Sequence, residues 1–207
     1  MILKAKHNIV VYGFFKWYAK HITKKEFQTT KIIGEITDKQ LPILLIANHI
    51  SWWDGFWAIF LNEQLFHRKL HFMMLEEQLR KHWLFNYSGG FSINKTSKSM
   101  LQTFSYTSEL LADNNNLVLI FPQGEIQSLH NQNIKFEKGL ERILKNQETE
   151  VQIIMMANMV DYFSNRKPSL FIHIKEYTKQ AWDMQNIQQE YNEFYKHAVA
   201  QQLTFKN

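Results

Sequence analysis

The chain has 207 residues, of which 45% are hydrophobic and 21% are charged. This balance is that of a globular domain with a buried core, and it excludes an intrinsically disordered chain. The net charge of +5 suits partners that carry phosphate, such as nucleic acid, anionic lipid or coenzyme A. The lack of cysteine excludes disulfides, cysteine-ligated metals and thiol nucleophiles. The sequence has no zinc-ligand spacing, RNA-binding aromatic strip or helix-turn-helix pattern, so we expect no nucleic-acid partner.

Residues 1–25 are predicted to form an amphipathic helix. At helical spacing Lys16, Lys20 and Lys24 share one stripe, whereas Phe14 and Trp17 lie on the remaining surface. Such a helix is typical of a membrane interface, although an ordinary helix docked on the protein's own core has the same pattern. We find neither the roughly 18 apolar residues of a spanning helix nor a signal-peptide cleavage site. We therefore expect peripheral attachment to the cytoplasmic face of the membrane.

Residues 26–207 are predicted to form one domain in which strands and helices alternate. The predicted strands are Lys31–Ile36, Ile43–Ala47, Leu70–Leu75, Gly90–Asn94, Leu117–Phe121, Val151–Ala157 and Ser169–Ile174. The predicted helices are Trp53–Phe66, Glu76–Leu84, Ser97–Ala112, Phe136–Asn146 and Met184–Leu203. This alternation predicts an α/β fold, with a mostly parallel mixed sheet flanked by helices. In such sheets functional residues gather at the carboxyl ends of the strands.

The segment 48–54 places His49 at the end of a predicted strand and Asp54 at the start of the next helix. An imidazole can accept a proton near neutral pH, and a carboxylate can fix its tautomer and stabilise the imidazolium. The pair is therefore a candidate for general-base catalysis. The alternative is structural, with Asp54 stabilising the start of the helix through its dipole.

Three further segments carry candidate functional residues. The strand 117–121 runs into a Pro/Gly turn at 122–125, where Gly124 allows close approach of a ligand. The segment 89–95 places a glycine pair before a strand and Lys95 after it. The segment 135–139 opens a predicted helix. The remaining histidines, including His71, His130 and His173, have no partner at metal-ligand spacing, so we expect no metal site.

These segments, in this order, resemble the glycerolipid acyltransferase family with the HxxxxD signature, which includes bacterial 1-acylglycerol-3-phosphate acyltransferase. Residues 48–54 match the family's first block, NHxSxxD, in full. Residues 89–95 resemble its second block, GxxFIxR, and residues 121–127 resemble its third, FPEGTRS. Phe136, Lys138 and Gly139 resemble its FK-x-G stretch. The resemblance extends from about residue 26 to about residue 175.

The departures from the family pattern fall where the family binds the phosphate of its acceptor. Lys95 and Ile126 replace the arginines of the second and third blocks, and Gln123 and Glu125 replace the glutamate and threonine of the third. A lysine can still meet a phosphate but lacks the bidentate fork of arginine, and isoleucine cannot meet it at all. The carboxylate of Glu125 would repel an anionic head group. The pattern indicates an altered acceptor pocket.

The resemblance implies transfer of a fatty acyl group from acyl carrier protein or coenzyme A to a hydroxyl or amine of a lipid acceptor, without a cofactor. His49 would act as general base and Asp54 would orient it. The remaining candidates are substrate-binding: Ser51, Lys95, Gln123, Gly124 and Glu125. For three of them a structural role is the alternative: an ST-turn at Ser51, a solvated charge at Lys95 and a simple turn at Gly124.

Two alternatives to a lysophosphatidic acid acyltransferase stay open. One is the same chemistry on an acceptor without phosphate, such as a glycosylated pigment or an aminolipid. The other is a family member that binds membranes without catalysis. Trp52, Trp53 and Trp57 either line an acyl channel or pack the helix on the sheet.

Overall fold

In the computed structural model, which describes residues 2–94, 97–145, 149–179 and 183–205, seven strands form one sheet. The strands are β1 (Thr29–Ile33), β2 (Ile43–Ala47), β3 (Lys69–Leu75), β4 (Gly90–Ile93), β5 (Asn116–Ile120), β6 (Gln152–Asp161) and β7 (Ser169–Glu176). Their order is β1-β7-β6-β2-β5-β3-β4, and β6 and β7 are antiparallel while all other neighbours are parallel. The predicted single α/β domain with a mostly parallel mixed sheet is confirmed.

Helices cover both faces of this sheet. They are α1 (Ile9–Glu26), α2 (Asp54–Leu65), α3 (Glu76–Lys81), a 3-10 helix (Trp83–Tyr87), α4 (Ser97–Leu110), α5 (Leu140–Lys145) and α6 (Met184–Gln202). Along β2, Leu44 and Ile46 pack with residues of α4, α5 and α6, whereas Ile43 and Leu45 pack with residues of α1 and α2. This strand is therefore apolar throughout because both of its faces are buried.

Two predicted helices differ from those observed. The helix predicted from Phe136 begins only at Leu140, because tertiary hydrogen bonds hold the preceding backbone: Phe136 N–H donates to Gln188 and Glu137 N–H donates to the Pro122 carbonyl. The helix predicted to reach residue 84 ends at Lys81, and the chain continues as the 3-10 helix.

Helix α1 packs on the protein's own core and also exposes apolar side chains. The Asn8 side chain caps it by accepting the amides of Val10 and Val11. Phe15 and Ala19 are buried, whereas Phe14 and Val10 are exposed. Among the described residues, no helix has the length and apolarity needed to cross a bilayer.

Residues 2–8 run along the edge strand β4 and bring half-buried His7 against buried His71. The amides of Ser92 and Gly89 donate to the carbonyls of Leu3 and Lys6. The ring of His7 lies 4.7 Å from that of His71, centroid to centroid. Burial lowers the pKa of His7 to about 3 and that of His71 to about 4.

Candidate active site

The candidate site lies where the carboxyl ends of three neighbouring strands meet. His49 follows β2, and the turn at residues 122–124 follows β5, which pairs with β2 in parallel. On the other side of β2, Asn158 lies near the end of β6. The Asn48 side chain joins these strand ends, because its Nδ2 donates to the Asn158 carbonyl at 3.0 Å and its Oδ1 accepts the Asn158 amide at 2.8 Å.

The side chains of His49 and Asp54 are in direct contact. The distance between His49 Nδ1 and Asp54 Oδ2 is 2.8 Å. The same oxygen accepts the amides of Ile50 at 2.7 Å and Ser51 at 2.8 Å. The Asp54 side chain is fully buried, whereas that of His49 is 22% exposed. The carboxylate is thus fixed by three donors, and the imidazole remains accessible.

Burial and hydrogen bonding act in opposite directions on Asp54. Desolvation raises the pKa of its carboxyl above the ordinary value, whereas the bonds from His49 and from the Ser51 and Ile50 amides lower it and offset part of the rise. Because Nδ1 of His49 faces the carboxylate, Nε2 is the nitrogen left to face a substrate. In this geometry Nε2 can accept a proton, and Asp54 can stabilise the resulting cation.

Three residues of the segment 121–127, which follows β5, contact the amide, the carbonyl and the ring of His49. Its amide donates to Gln123 Oε1 at 2.6 Å, and its carbonyl accepts the Gln127 amide at 2.8 Å. Its ring stacks on Phe121, with centroids 4.1 Å apart and an angle of 13° between the planes. Gln123 Nε2 also donates to Gln127 Oε1 at 3.0 Å, which links the two glutamines that hold the histidine backbone.

The candidate substrate-binding residues lie around this pair with different exposure. Ser51 Oγ accepts the amide of Trp53 at 3.1 Å, which is the hydrogen bond of an ST-turn. Gln123 is buried, and both ends of its amide are engaged by protein groups. Gly124 and Glu125 are exposed, and the φ of Gly124 is +69°. Lys95 lies outside the described residues.

The histidines without a partner at metal-ligand spacing have other neighbours in the fold or lie at the surface. His71 is buried and bonds Asn116 at 3.1 Å, and His173 is buried and lies 3.4 Å from Gln202. His130 is exposed. Within the described ranges, no three His, Cys, Asp or Glu side chains are grouped so that they could hold a metal ion.

Three residues that the sequence patterns did not single out contribute to the site: Phe121, Gln127 and Asn158. Phe121 occupies the first position of the third block and Gln127 the last. Their place in that block could have indicated that they contribute to the site. Asn158 lies inside an apolar strand, and its fixed backbone contact with Asn48 could be found only from the pairing of β6 with β2.

A cleft of about 670 Å³ adjoins the turn after β5. Its lining includes the apolar side chains Phe104, Phe136 and Met184 and the charged side chains Glu137, Lys138, Glu141 and Arg142. It is joined to the turn through residue 137, whose amide donates to the Pro122 carbonyl at 2.8 Å. The charged side chains are two cations and two carboxylates, so the cleft is suited to an amphiphile but has no net preference for an anionic group.

Residues 20–158 match the family described as Acyltransferase, which is about two thirds of the chain. Among curated proteins, none matches this chain. The matched region contains α1 from its middle onwards, β2 with the following pair His49 and Asp54, and the turn after β5. The chain therefore belongs to the acyltransferase family.

Proposed function

We propose that the protein transfers a fatty acyl group from the thioester of acyl carrier protein or coenzyme A to a hydroxyl or amine of a lipid acceptor. The observation that carries the proposal is the contact of 2.8 Å between His49 Nδ1 and the buried carboxylate of Asp54, at the carboxyl edge of the sheet of an acyltransferase-family chain. The closest activity by motif is that of a 1-acylglycerol-3-phosphate acyltransferase.

The proposed reaction proceeds by direct transfer. Nε2 of His49 removes the proton of the acceptor hydroxyl as its oxygen attacks the thioester carbonyl. The tetrahedral intermediate then collapses, the carbon–sulfur bond breaks, and the thiolate takes the proton from the imidazolium. Asp54 holds the ring and stabilises its cationic form throughout. The products are an ester and a free thiol, and His49 returns to its neutral state.

A second candidate function is the same transfer to an acceptor without phosphate. It is favoured by the third block, where Ile126 is 53% exposed and Glu125 is exposed beside it. An apolar side chain and a carboxylate on this turn disfavour a phosphate there. The adjoining cleft does not discriminate between the two acceptors, because Lys138 and Arg142 are matched there by Glu137 and Glu141. The acyl-transfer assay decides between them.

We further propose that the protein attaches peripherally to the cytoplasmic face of a membrane through α1. The support is the exposed stripe of Val10, Phe14 and Trp17, which lies on the side of α1 away from buried Phe15 and Ala19. A family member that binds membranes without catalysis would not need an imidazole held by a buried acid. The pair therefore argues against this alternative.

The function is tested by incubating the purified chain with a radiolabelled acyl thioester and a panel of lipid acceptors. The panel contains lysophosphatidic acid, an aminolipid and a glycosylated lipid, each with acyl carrier protein and with coenzyme A as donor. Mass spectrometry identifies any labelled product. A labelled phospholipid supports the first acceptor class, and a labelled phosphate-free product supports the second. Absence of a labelled product with every pair would contradict the proposal.

A further inference from the structure

Large apolar side chains are exposed beyond helix α1. Trp83 and Leu84 of the 3-10 helix are 60% and 40% exposed, and Trp52, in the loop that carries the acid–base pair, is 50% exposed. On α1, Phe14 and Trp17 are 51% and 59% exposed. Exposed apolar patches of this kind mark interaction surfaces in soluble domains.

These side chains surround one aromatic cluster. The ring centroid of Phe85, in the 3-10 helix, lies 5.2 Å from that of Phe15 and 6.2 Å from that of Trp52. Phe14 in turn lies 5.5 Å from Phe15. The exposed residues of α1, of the Trp52 loop and of the 3-10 helix therefore lie around one cluster of neighbouring rings and make up one surface region. We call it the aromatic face, and it consists of Phe14, Trp17, Trp52, Trp83 and Leu84.

Positive charges border the aromatic face. Lys20 and Lys24 are exposed on α1, one and two turns after Trp17. At the other end, Lys6 Nζ lies 5.1 Å from the ring centroid of Tyr87, which itself contacts the ring of Trp83. Cations beside exposed tryptophans complement an anionic lipid surface.

Two acidic side chains on the neighbouring helices are paired. Glu63 of α2 lies 2.9 Å from Lys16, and Glu76 of α3 lies 2.7 Å from Arg80. Their negative charges are thus matched locally, whereas the exposed Glu77 of α3 opposes an anionic surface. The exposed lysines keep their charge available for lipid head groups.

We infer that the aromatic face binds the surface of an anionic bilayer, with Trp52, Trp83 and Leu84 entering the head-group region together with α1. The loop that carries His49 and Asp54 then lies at the lipid surface, so that an acceptor reaches the imidazole without leaving the bilayer. The path of the acceptor to the imidazole rests on the proposed action on a lipid acceptor, whereas binding of the aromatic face to the bilayer does not.

The absence of cysteine from the sequence allows a direct test. Trp83→Cys and Leu203→Cys each create one site for an environment-sensitive fluorophore. Leu203 is the matched control, because it is 82% exposed and follows α6 on the opposite face of the sheet. With vesicles of phosphatidylcholine and phosphatidylglycerol, we expect a blue shift of emission at position 83 and none at 203. No shift at 83, or equal shifts at both positions, would overturn the inference.

Unlabelled variants extend the test to affinity. The double variant Trp83→Ala, Leu84→Ala should partition about tenfold less onto the same vesicles, and Leu203→Ala should partition like the wild type. Equal partitioning of the double variant and the wild type would overturn the inference, and an unchanged urea midpoint verifies its fold. If the wild type binds vesicles but transfers no acyl group, the proposed function is contradicted and the inferred membrane binding of the aromatic face is not. If the wild type transfers acyl groups but the fluorophore at position 83 does not respond to vesicles, the inferred membrane binding is contradicted and the proposed function is not.

Discussion

Replacing Gln123 with leucine should destabilise the protein through the backbone of His49. Gln123 is 3% exposed, its Oε1 accepts the His49 amide at 2.6 Å and its Nε2 donates to Gln127 at 3.0 Å. Leucine keeps the apolar packing but removes both bonds, each worth about 1 kcal/mol, and leaves the His49 amide without its acceptor, at about 1 kcal/mol more. The free energy of unfolding should fall by about 3 kcal/mol, which lowers Tm by about 6–12 °C.

Urea unfolding followed by tryptophan fluorescence measures this change. The control is Gln102→Leu, at an exposed position of α4, which should change the free energy of unfolding by less than about 0.5 kcal/mol. If Gln123→Leu unfolds at the same urea concentration as the wild type, the side chain does not hold the His49 backbone.

Three further predictions concern the acid–base pair, the histidine pair and the turn after β5. Asp54→Asn should lower the acyl-transfer rate about 10²- to 10⁴-fold, because it removes the charge that stabilises the imidazolium; an unchanged rate would show that the charge is not used. Since the pKa of His71 is lowered to about 4, its stabilising contribution is present above pH 6.5 and is lost as pH falls towards 4. The contribution of His71 to the free energy of unfolding should therefore fall by about 3 kcal/mol over that range, in addition to the contribution of His7, whose pKa is lowered to about 3. Urea unfolding at several pH values should show a shallower pH dependence of this free energy for His71→Gln than for the wild type, and equal dependences would contradict the assignment. Gly124→Ala should lower the free energy of unfolding by about 1–2 kcal/mol, because the φ of Gly124 is +69°. Gly13→Ala, in open space within α1, should raise this free energy by about 0.5–1 kcal/mol. If the two variants shift Tm in the same direction, the positive φ of Gly124 does not matter for stability.

The fold was predictable where local pattern and burial agree. The apolar run Ile43–Ala47 forms a strand with the predicted bounds, because both of its faces are covered. Strand β6 instead extends to Asp161, four residues beyond the predicted end, because its residues 154–161 pair with the whole of β7. The late start of the helix at Leu140 has the same cause, since hydrogen bonds to distant residues replace the helical ones.

The site was predictable in its local part only. His49 and Asp54 lie five residues apart across a strand-to-helix junction, so the chain itself brings them together. The contacts of His49 with Phe121 and Gln127 depend on β5 lying next to β2, and sequence spacing does not give strand order. Likewise, helical periodicity in α1 did not reveal that Phe15 is buried, because apolar residues lie on more than one side of the helix.

The most direct test of the catalytic claim is the acyl-transfer rate of His49→Gln measured beside His130→Gln. His130 is an exposed histidine outside the pair, so it controls for the loss of one imidazole. We predict that His49→Gln is at least about 100-fold slower than the wild type, and that His130→Gln is not slowed. Equal rates for the wild type and a folded His49→Gln protein would contradict the assignment of His49 as the general base.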